Sequence, residues 1–243
     1  MIVDKERKVI YLHNPKCGGT FLRDLYIEKY GISEATKWWK GYTRTYGTDL
    51  GHITYSDLPR FIREWKEYRI VVMVRNPYNR FYSAVKEAMR QYVGSRITVS
   101  VYGFRVNVPC YVYYGEYQEW NKIRKIYELW KMYAGIHLQD QRALADPEEF
   151  CKRILLKHSL QKSFIRNKRI PWLNPQSYFW GKGVEVFYYE SDEDWKKLLD
   201  AFGLLEYQSR LSIAKDYIIP DYMYTMIEKL YPEDMELFQK YKY

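Results

Sequence analysis

The stretch HNPKCGGTFLR, residues 13–23, joins an apolar run to a helical pattern and decides how this chain is expected to fold. The run KVIYL before it, residues 8–12, has the continuous apolar and β-branched character of a buried parallel strand. Gly18 and Gly19 allow the backbone to turn sharply and to approach a ligand closely. A helix that begins at Thr20 presents free N–H groups and the positive end of its dipole to that ligand. The sequence therefore predicts a strand, a loop and a helix that together bind an anion.

The same loop supports two chemically different interpretations. In the first, Lys16 and the backbone of residues 18–20 hold a phosphate-like group. In the second, Cys17 and Arg23 form the Cys-x5-Arg loop of a phosphatase, because a thiol beside a cation and a helix N-terminus has a lowered pKa. The phosphatase match is incomplete, since Asp24 follows the arginine where Ser or Thr is usual. Neither a Walker A loop nor a Gly-x-Gly-x-x-Gly motif is present in the sequence.

Two later segments have the same character of a strand followed by a helix. RIVVMV (69–74) and VEVFYYE (184–190) are apolar runs followed by turn-forming residues, and Ser191 is placed as the N-cap of the helix after the second run. Such alternation predicts an α/β fold with a central parallel sheet flanked by helices. The chain of 243 residues has no linker-like stretch, so we expect a single domain over residues 1–243.

A long insertion separates the second and third predicted strands. Residues 96–114 alternate apolar and polar side chains around Gly103, which predicts a β-hairpin. Residues 116–134 place large apolar side chains on one helical face, and residues 146–158 begin with an Asp-Pro pair that is typical of a helix start. We therefore expect a β-hairpin and a helical insertion between these strands.

Composition restricts the class of partner. The chain carries 39 Lys and Arg against 30 Asp and Glu, a formal net charge of +9, which favours anionic partners. No zinc-finger spacing, RNP-type aromatic motif or helix-turn-helix is visible, so nucleic acid is not an expected partner. Three widely spaced cysteines indicate a reducing compartment. Because the sequence has no signal-like segment and no apolar run of about 18 residues, we expect a cytoplasmic protein without a membrane span.

VRNPYNRFYSAV (74–85) follows the second predicted strand and is a second candidate anion-binding segment. Arg75 stands at the carboxyl end of that strand, and Pro77 suits the first turn of a helix. Arg80 and Ser83 are three residues apart and share a face of this helix. We expect Arg75 and Ser83 to donate hydrogen bonds to one phosphate.

HNPKCGGTFLRDL and VRNPYNRFYSAV together resemble two motifs of the sulfotransferases that use 3′-phosphoadenosine 5′-phosphosulfate (PAPS). The likeness is to the branch that contains the heparan sulfate 2-O- and 6-O-sulfotransferases and their bacterial relatives. In that family the 5′-phosphosulfate loop typically reads His-Ile-Pro-Lys-Thr-Gly-Gly-Thr, and the 3′-phosphate motif reads Arg-Asp-Pro-x-x-Arg-x-x-Ser. Asn14, Cys17 and Asn76 are the departures in this chain. The resemblance implies a P-loop NTPase-like sulfotransferase fold and an enzyme that transfers a sulfuryl group.

The resemblance also implies a set of site residues. Lys16 is expected to be catalytic, because it stabilises the oxygen that bridges sulfur and the leaving phosphate, and Arg75 with Ser83 is expected to hold the 3′-phosphate that distinguishes this donor from ATP. The residues expected to bind the co-substrate are Lys16, Cys17, Gly18, Gly19, Thr20, Phe21, Arg75 and Ser83. The product is then 3′-phosphoadenosine 5′-phosphate (PAP). No metal is expected, and no cluster of metal ligands is visible in the sequence.

LGHITYSDLPRF (50–61) lies between the two motifs and supplies the expected catalytic base. The resemblance places the base of the 2-O- and 6-O-type enzymes in a Gly-His or Leu-His segment at this point, which here contains His52. Histidine has an unperturbed pKa of about 6.5 and so takes up a proton readily at neutral pH. His52 is therefore expected to deprotonate a hydroxyl or amine of the acceptor, which then attacks sulfur in line.

The acceptor is indicated only by composition. Residues 150–184 hold eight Lys or Arg and no Asp or Glu, together with the aromatic stretch PWLNPQSYFW (171–180). Such a segment suits either a lid over an anionic ligand or a solvated basic surface. A lid of this kind favours an acidic glycan as the acceptor, although a small phenol or a tyrosine-bearing peptide is chemically equivalent. Relatives often carry a His before the Pro-Gln pair, where this chain has Trp172. A non-catalytic module that binds nucleotide or polyanion through the same basic residues is a further alternative, and the oligomeric state is not indicated.

Overall fold

Apolar segments separated by turns form the central sheet of the protein. The computed structural model describes the chain at residues 1–40, 42–43, 48–89, 96–101, 104–109, 123, 171–213 and 217–241. The central sheet has four strands, in the spatial order β1 (Ile2–Asp4), β2 (Val9–Leu12), β5 (Arg69–Val74) and β8 (Val184–Tyr188). β2, β5 and β8 run parallel, whereas β1 pairs antiparallel with β2. The expected α/β class is confirmed, but the sheet is mixed rather than wholly parallel.

The antiparallel edge strand arises from a tight turn near the start of the chain. Ile2 pairs with Tyr11, and the exposed residues 5–8 connect the two strands. Lys8 has φ +53, a left-handed conformation that is common in tight turns. The apolar run at 8–12 predicted only the second of these strands, since the first is too short to show a periodic pattern.

The parallel register brings the carboxyl ends of β2 and β5 to the same edge of the sheet. Leu12, the last residue of β2, pairs with Val72. On the other side of β5, Val74 pairs with Tyr188 at the end of β8. The residues that follow β2 and β5 therefore leave the sheet side by side, and both sequence motifs begin there.

Both faces of the central sheet are covered. On one face, alternate residues of β2 and β5 pack with side chains of α1 (Gly19–Tyr30) and α4 (Asp192–Ala201). On the other face the buried cluster contains Ile10, Leu12, Val72, Val74, Ile53, Leu58 and Phe179. Because both sets of side chains are buried, the strands have nearly continuous apolar sequences.

The other described elements of the first part of the chain and of its C-terminus are a strand pair and several helices. β3 (Tyr42–Thr43) and β4 (Thr48–Asp49) form a two-stranded antiparallel pair. Further α-helices within the described ranges are α2 (Leu58–Phe61), α3 (Pro77–Met89), α5 (Asp221–Leu230) and α6 (Pro232–Tyr241). The predicted N-cap of α4 is confirmed, because the hydroxyl of Ser191 accepts the N–H of Asp194 at 3.2 Å. None of the helices in the described ranges combines the length and the apolar character needed to cross a membrane.

The predicted β-hairpin is confirmed over the residues that the structure describes. β6 (Arg96–Val101) pairs antiparallel with β7 (Phe104–Pro109), and the first residue of each strand stands opposite the last residue of the other. The helices expected at residues 116–134 and 146–158 lie outside the described ranges, apart from the single helical residue 123.

The chain divides into two compact units. One consists of Met1–Tyr82 with Asn174–Tyr243 and contains the four-stranded sheet, and the other is Ser83–Leu173. The expectation of one domain over residues 1–243 stays a prediction, because compactness alone does not establish which parts fold independently.

Candidate functional site

The loop between β2 and α1 has the backbone conformation of an anion-binding nest. Lys16 has φ +67 and Gly18 has φ +78, whereas φ is not positive at Cys17 or Gly19. Alternation between left-handed and right-handed residues turns successive backbone N–H groups toward one point, where an anion can bind. A non-glycine residue such as Lys16 adopts the left-handed conformation at a cost of roughly 1–2 kcal/mol. Strain of this kind is concentrated at functional sites, which makes the loop a candidate.

The N-terminus of α1 continues this arrangement. Gly18 is the N-cap of the helix and has no side chain to accept a hydrogen bond from the first turn. The first turn carries no acidic residue, and Thr20 within it is exposed. The helix therefore presents backbone N–H groups and a positive dipole to an external anion.

Aromatic side chains packed against the loop require glycine at positions 18 and 19. A Cβ atom on Gly18 would lie 2.5 Å from Cη2 of Trp195, on α4. A Cβ atom on Gly19 would overlap the imidazole ring of His13. Phe21 packs edge-on against the same tryptophan, with ring centres 5.7 Å apart. This packing fixes the loop against the core and leaves no room for a side chain at either glycine.

Cys17 is fully buried, in contrast to the exposed nucleophile of a phosphatase loop. Its Sγ lies 3.4 Å from Oε1 of Gln176 and 3.6 Å from the carbonyl oxygen of Pro15. Burial raises the pKa of the Cys17 thiol to about 12, so the thiol stays protonated at neutral pH. The guanidinium of Arg23 pairs with the adjacent Asp24 at 2.7 Å. The geometry therefore argues against the Cys-x5-Arg interpretation and leaves the backbone N–H of Cys17 as its contribution to the loop.

His52 is positioned by the main chain of the loop. It ends the 3₁₀ turn Leu50–His52, and its Nδ1 lies 3.0 Å from the carbonyl oxygen of His13. The centres of the two imidazole rings are 4.2 Å apart. Burial, with a further contribution from the neighbouring His52, lowers the pKa of His13 well below its usual value, so His13 is neutral. Because a carbonyl oxygen can only accept, a neutral His52 carries its proton on Nδ1 and its lone pair on Nε2.

Arg75 extends from the carboxyl end of β5 to the same loop. Its Nη1 donates to the carbonyl oxygen of Lys16 at 3.4 Å. Its guanidinium lies 4.4 Å from the centre of the Tyr189 ring and 5.6 Å from the centre of the Tyr217 ring. Oε1 of Glu190 is 3.9 Å from Nε. Two aromatic rings and a carboxylate thus hold a buried positive charge beside the loop.

Arg80 is a second buried cation, and its sequence position alone predicts no ligand for it. Its Nε, on α3, donates to the carbonyl oxygen of Pro15 at 3.3 Å, and its Nη2 has no hydrogen-bond partner in the described part of the chain. Sequence spacing places Arg80 on an ordinary helix face, so only its three-dimensional neighbours distinguish it. Ser83 is also buried. Because Ser83 begins the second compact unit, its contact with a phosphate stays a prediction.

A hydrogen-bond network that the sequence does not predict lies behind the loop. The side chain of Gln176 bonds to Asn14 and to the main chain of Arg75. Asp234, on α6, accepts two successive N–H groups of the turn Gln176–Phe179, at 2.9 and 3.0 Å. Burial raises the pKa of the Asp234 carboxyl to about 6. The Pro-Gln pair was the only signal in the sequence, because side-chain networks have no periodic pattern.

Three segments that are distant in the sequence meet at this loop. His52 and Arg75 both reach carbonyl oxygens of residues 13–16, so both side chains and Lys16 lie around one backbone segment. Arg75 and Arg80 add two fixed positive charges to the ammonium group of Lys16. Within the described ranges, no group of three or more His, Cys, Asp or Glu residues could hold a metal ion. The arrangement is suited to bind an anion and to place a basic imidazole beside it.

Comparisons with known proteins do not assign the chain to a family. It matches no family model, no curated protein and no solved structure.

Proposed function

We propose that this protein is an enzyme that transfers a sulfuryl group from PAPS to a hydroxyl or amine of an acceptor, on a P-loop NTPase-like sulfotransferase fold. One observation carries the proposal: His52 Nδ1 lies 3.0 Å from the His13 carbonyl oxygen, and Arg75 Nη1 lies 3.4 Å from the Lys16 carbonyl oxygen. Two of these three segments carry the resemblance to this family in the sequence, and the resemblance places the catalytic base in the third. A chance likeness of short motifs would not be expected to gather them around one loop.

The loop and the start of α1 suit the 5′-phosphate of the donor. Backbone N–H groups of residues 17–20 and the helix dipole would hold this phosphate. Lys16 places an ammonium group near the oxygen that bridges phosphorus and sulfur. It stabilises the negative charge that forms there when the bond to sulfur breaks. The leaving group is thus neutralised by the chain itself.

Arg75 and Ser83 are assigned to the 3′-phosphate, and so to the choice of this donor over ATP. Arg75 is 4% exposed, and its Nε has no hydrogen-bond partner in the described part of the chain. A buried guanidinium N–H without an acceptor is costly. A phosphate oxygen would satisfy it with a charge-assisted hydrogen bond. Stacking on Tyr189 and Tyr217 restricts the plane in which that bond can form.

His52 is assigned as the general base through Nε2. It takes the proton of the acceptor hydroxyl or amine, and the acceptor oxygen or nitrogen forms a bond to sulfur as the bond from sulfur to the bridging oxygen breaks. The products are the sulfated acceptor, PAP and a protonated His52, which returns its proton to solvent. The hydrogen bond from Nδ1 to the His13 carbonyl oxygen keeps the imidazole in the tautomer that this step needs.

The acceptor is proposed to be a glycan, in particular an acidic one, or a small hydroxyl-bearing molecule. The net charge of +9 favours an anionic acceptor. Most of the basic segment 150–184 lies outside the described residues, so its role as a lid stays a prediction. A cytoplasmic location and the absence of a nucleic-acid partner likewise stay predictions from the sequence.

Calorimetry with PAP, ATP and NAD tests the donor assignment first. PAP should bind in preference to ATP, because ATP has no 3′-phosphate for Arg75 to recognise. Transfer from radiolabelled PAPS to a panel of glycans and phenols then tests the activity. Preference for ATP would overturn the donor assignment. PAP binding without transfer to any acceptor would favour the non-catalytic alternative.

A further inference from the structure

The side chain of Gln176 pairs with the backbone at the end of β5. Its Oε1 accepts the N–H of Arg75 at 2.9 Å, and its Nε2 donates to the carbonyl oxygen of Arg75 at 2.8 Å. A carboxamide that bonds to both main-chain groups of one residue imitates a neighbouring strand, and it fixes where that residue leaves the sheet. Gln176 is 1% exposed, so water does not compete for these hydrogen bonds.

The same carboxamide also holds the loop that follows β2. Nδ2 of Asn14 donates to Oε1 of Gln176 at 3.0 Å and to the carbonyl oxygen of Met73 at 3.1 Å. Sγ of Cys17 lies 3.4 Å from the same Oε1. One side-chain oxygen therefore receives hydrogen bonds from the anion-binding loop and from the end of β5.

Gln176 is itself anchored by the C-terminal helix. Oδ2 of Asp234, in the first turn of α6, accepts the N–H of Gln176 at 2.9 Å, and Oδ1 accepts the N–H of Ser177 at 3.0 Å. These hydrogen bonds hold the turn Gln176–Phe179 in place independently of the loop at residues 13–19. A side chain with a fixed backbone and both ends engaged has little freedom to follow a displaced loop, so it resists that displacement.

We propose that Gln176 is a positioning residue that sets the spacing between the loop at residues 13–19 and Arg75, so that one ligand can engage both. The inference rests on the proposed function, in which the loop holds the 5′-phosphate and Arg75 the 3′-phosphate of the same donor. Gln176 acts through Asn14, Cys17 and the main chain of Arg75, without touching the ligand. Because two groups are engaged together only in a fixed geometry, a change in spacing weakens a ligand that uses both.

The test compares ligands that engage one half of the site with a ligand that engages both. Gln176→Leu removes the hydrogen bonds at similar side-chain size, and calorimetry gives the affinities of the folded variant for PAP, 5′-AMP and 3′-AMP. The affinity for PAP should fall about tenfold or more, as expected for one lost charge-assisted hydrogen bond. The affinity for either monophosphate should fall less than about threefold, because each can adjust to its own half of the site. An equal loss for all three ligands, or no loss, overturns the inference.

Two further variants separate positioning from a general loss of stability. Ile2 lies on β1 and takes no part in the hydrogen bonds of Gln176, so Ile2→Ala should leave the ratio of PAP to monophosphate affinity unchanged. Asn14→Ala cuts the link to the loop and keeps Gln176, so it decides the question if Gln176→Leu does not fold. It should reproduce the selective loss for PAP, and the double variant should lose little more than either single variant. Additive losses, or a changed ratio in Ile2→Ala, would contradict a single positioning link.

Amide hydrogen exchange without ligand distinguishes failure of this inference from failure of the proposed function. In Gln176→Leu or Asn14→Ala, exchange should increase at residues 13–19 and at residues 75–76, and stay unchanged in β1. A wild-type protein that does not bind PAP overturns the proposed function. Unchanged exchange in both segments overturns the positioning role, even where the wild type binds PAP.

Discussion

Lys16 combines a charge with a strained backbone, and two substitutions separate these properties. Lys16→Gly and Lys16→Ala both remove the ammonium group, so both should slow sulfuryl transfer by about 10²-fold or more. The native φ is +67, which glycine adopts without strain, so Lys16→Ala should be less stable than Lys16→Gly by about 1 kcal/mol. Transfer assays and urea denaturation measure the two effects. Unchanged transfer would contradict the catalytic role, and equal stability would contradict the strain.

His52 is the residue on which the proton transfer depends. His52→Asn keeps a side-chain donor for the His13 carbonyl oxygen but removes the basic nitrogen, so transfer should slow by about 10²–10⁴-fold while PAP affinity is retained. Radiolabelled PAPS and calorimetry give the two values. His137 belongs to none of the three segments that are proposed to form the site, so His137→Asn is the matched control and should leave the rate unchanged. A similar loss in both variants would argue that His52 is not the base.

Cys17 is expected to be chemically inert in the folded protein. Burial raises the pKa of its thiol to about 12, and the thiolate is the reactive form. In a Cys110→Ser, Cys151→Ser background, a thiol-specific reagent should label Cys17 only after denaturation. Cys17→Ser should largely preserve sulfuryl transfer. Rapid labelling of the native protein together with abolished activity in Cys17→Ser would restore the phosphatase interpretation.

The segment formed by β2, the loop and α1 shows which structural elements a sequence can predict. The apolar run and the glycine pair predicted the strand, the turn and the helix start, and α1 begins at Gly19, one residue before the predicted position. The left-handed conformation of Lys16 was not predicted, because nothing in a lysine requires it. The contact of Gly19 with His13 depends on tertiary packing, which local pattern does not describe.

Side-chain networks and very short strands carry the least signal in the sequence. β1 has only three residues and cannot show an alternating pattern. Gln176 has partners before β5, after it and on α6, and no spacing rule relates such positions. The polar residues that hold the candidate site together were therefore found only from their contacts, whereas its glycines, its lysine and its strand-end arginine were identified from type and position.

The buried carboxyl group of Asp234, on α6, should make the stability of the protein depend on pH. Burial raises the pKa of Asp234 from 3.8 to about 6, so between about pH 4 and pH 6 the native state binds more protons than the unfolded state. The contribution of Asp234 to stability therefore decreases as the pH rises through this interval and is level above it. Urea denaturation should show the free energy of unfolding of the wild type, relative to Asp234→Asn, falling from pH 4 to pH 6. A relative stability that rises over this interval would contradict the raised pKa.

The net charge of +9 is a property of the whole molecule, and it should strengthen the binding of an anionic acceptor. Salt screens the attraction between a cationic protein and an acidic glycan. The KM for an acidic glycan should therefore rise with ionic strength more steeply than the KM for a neutral phenol, with little change in kcat. Steady-state kinetics over a series of salt concentrations checks this. A parallel rise for both acceptors would assign the effect to donor binding instead.

The fold class and the position of the insertion along the chain were predicted from the sequence. Alternating strands and helices gave the α/β class, and the insertion was placed between the second and third apolar runs, where the second compact unit Ser83–Leu173 lies in the chain. The antiparallel position of β1 could not be predicted, because pairing direction depends on the short turn at residues 5–8. The three parallel strands of the central sheet were therefore predictable from their apolar pattern, whereas the antiparallel edge strand β1 depends on the geometry of a short turn.

The imidazole of His13 has a consequence for how this protein can change over evolutionary time. It occupies the space where a side chain at position 19 would lie, and its centre is 4.2 Å from that of His52. Any residue other than glycine at position 19 must displace His13, and with it the ring and the carbonyl group that orient His52. His13 therefore contacts both the loop that would hold the donor and the imidazole that would accept the proton. A side chain at position 19 is therefore expected to require a change at position 13, and that change alters the ring that lies against His52.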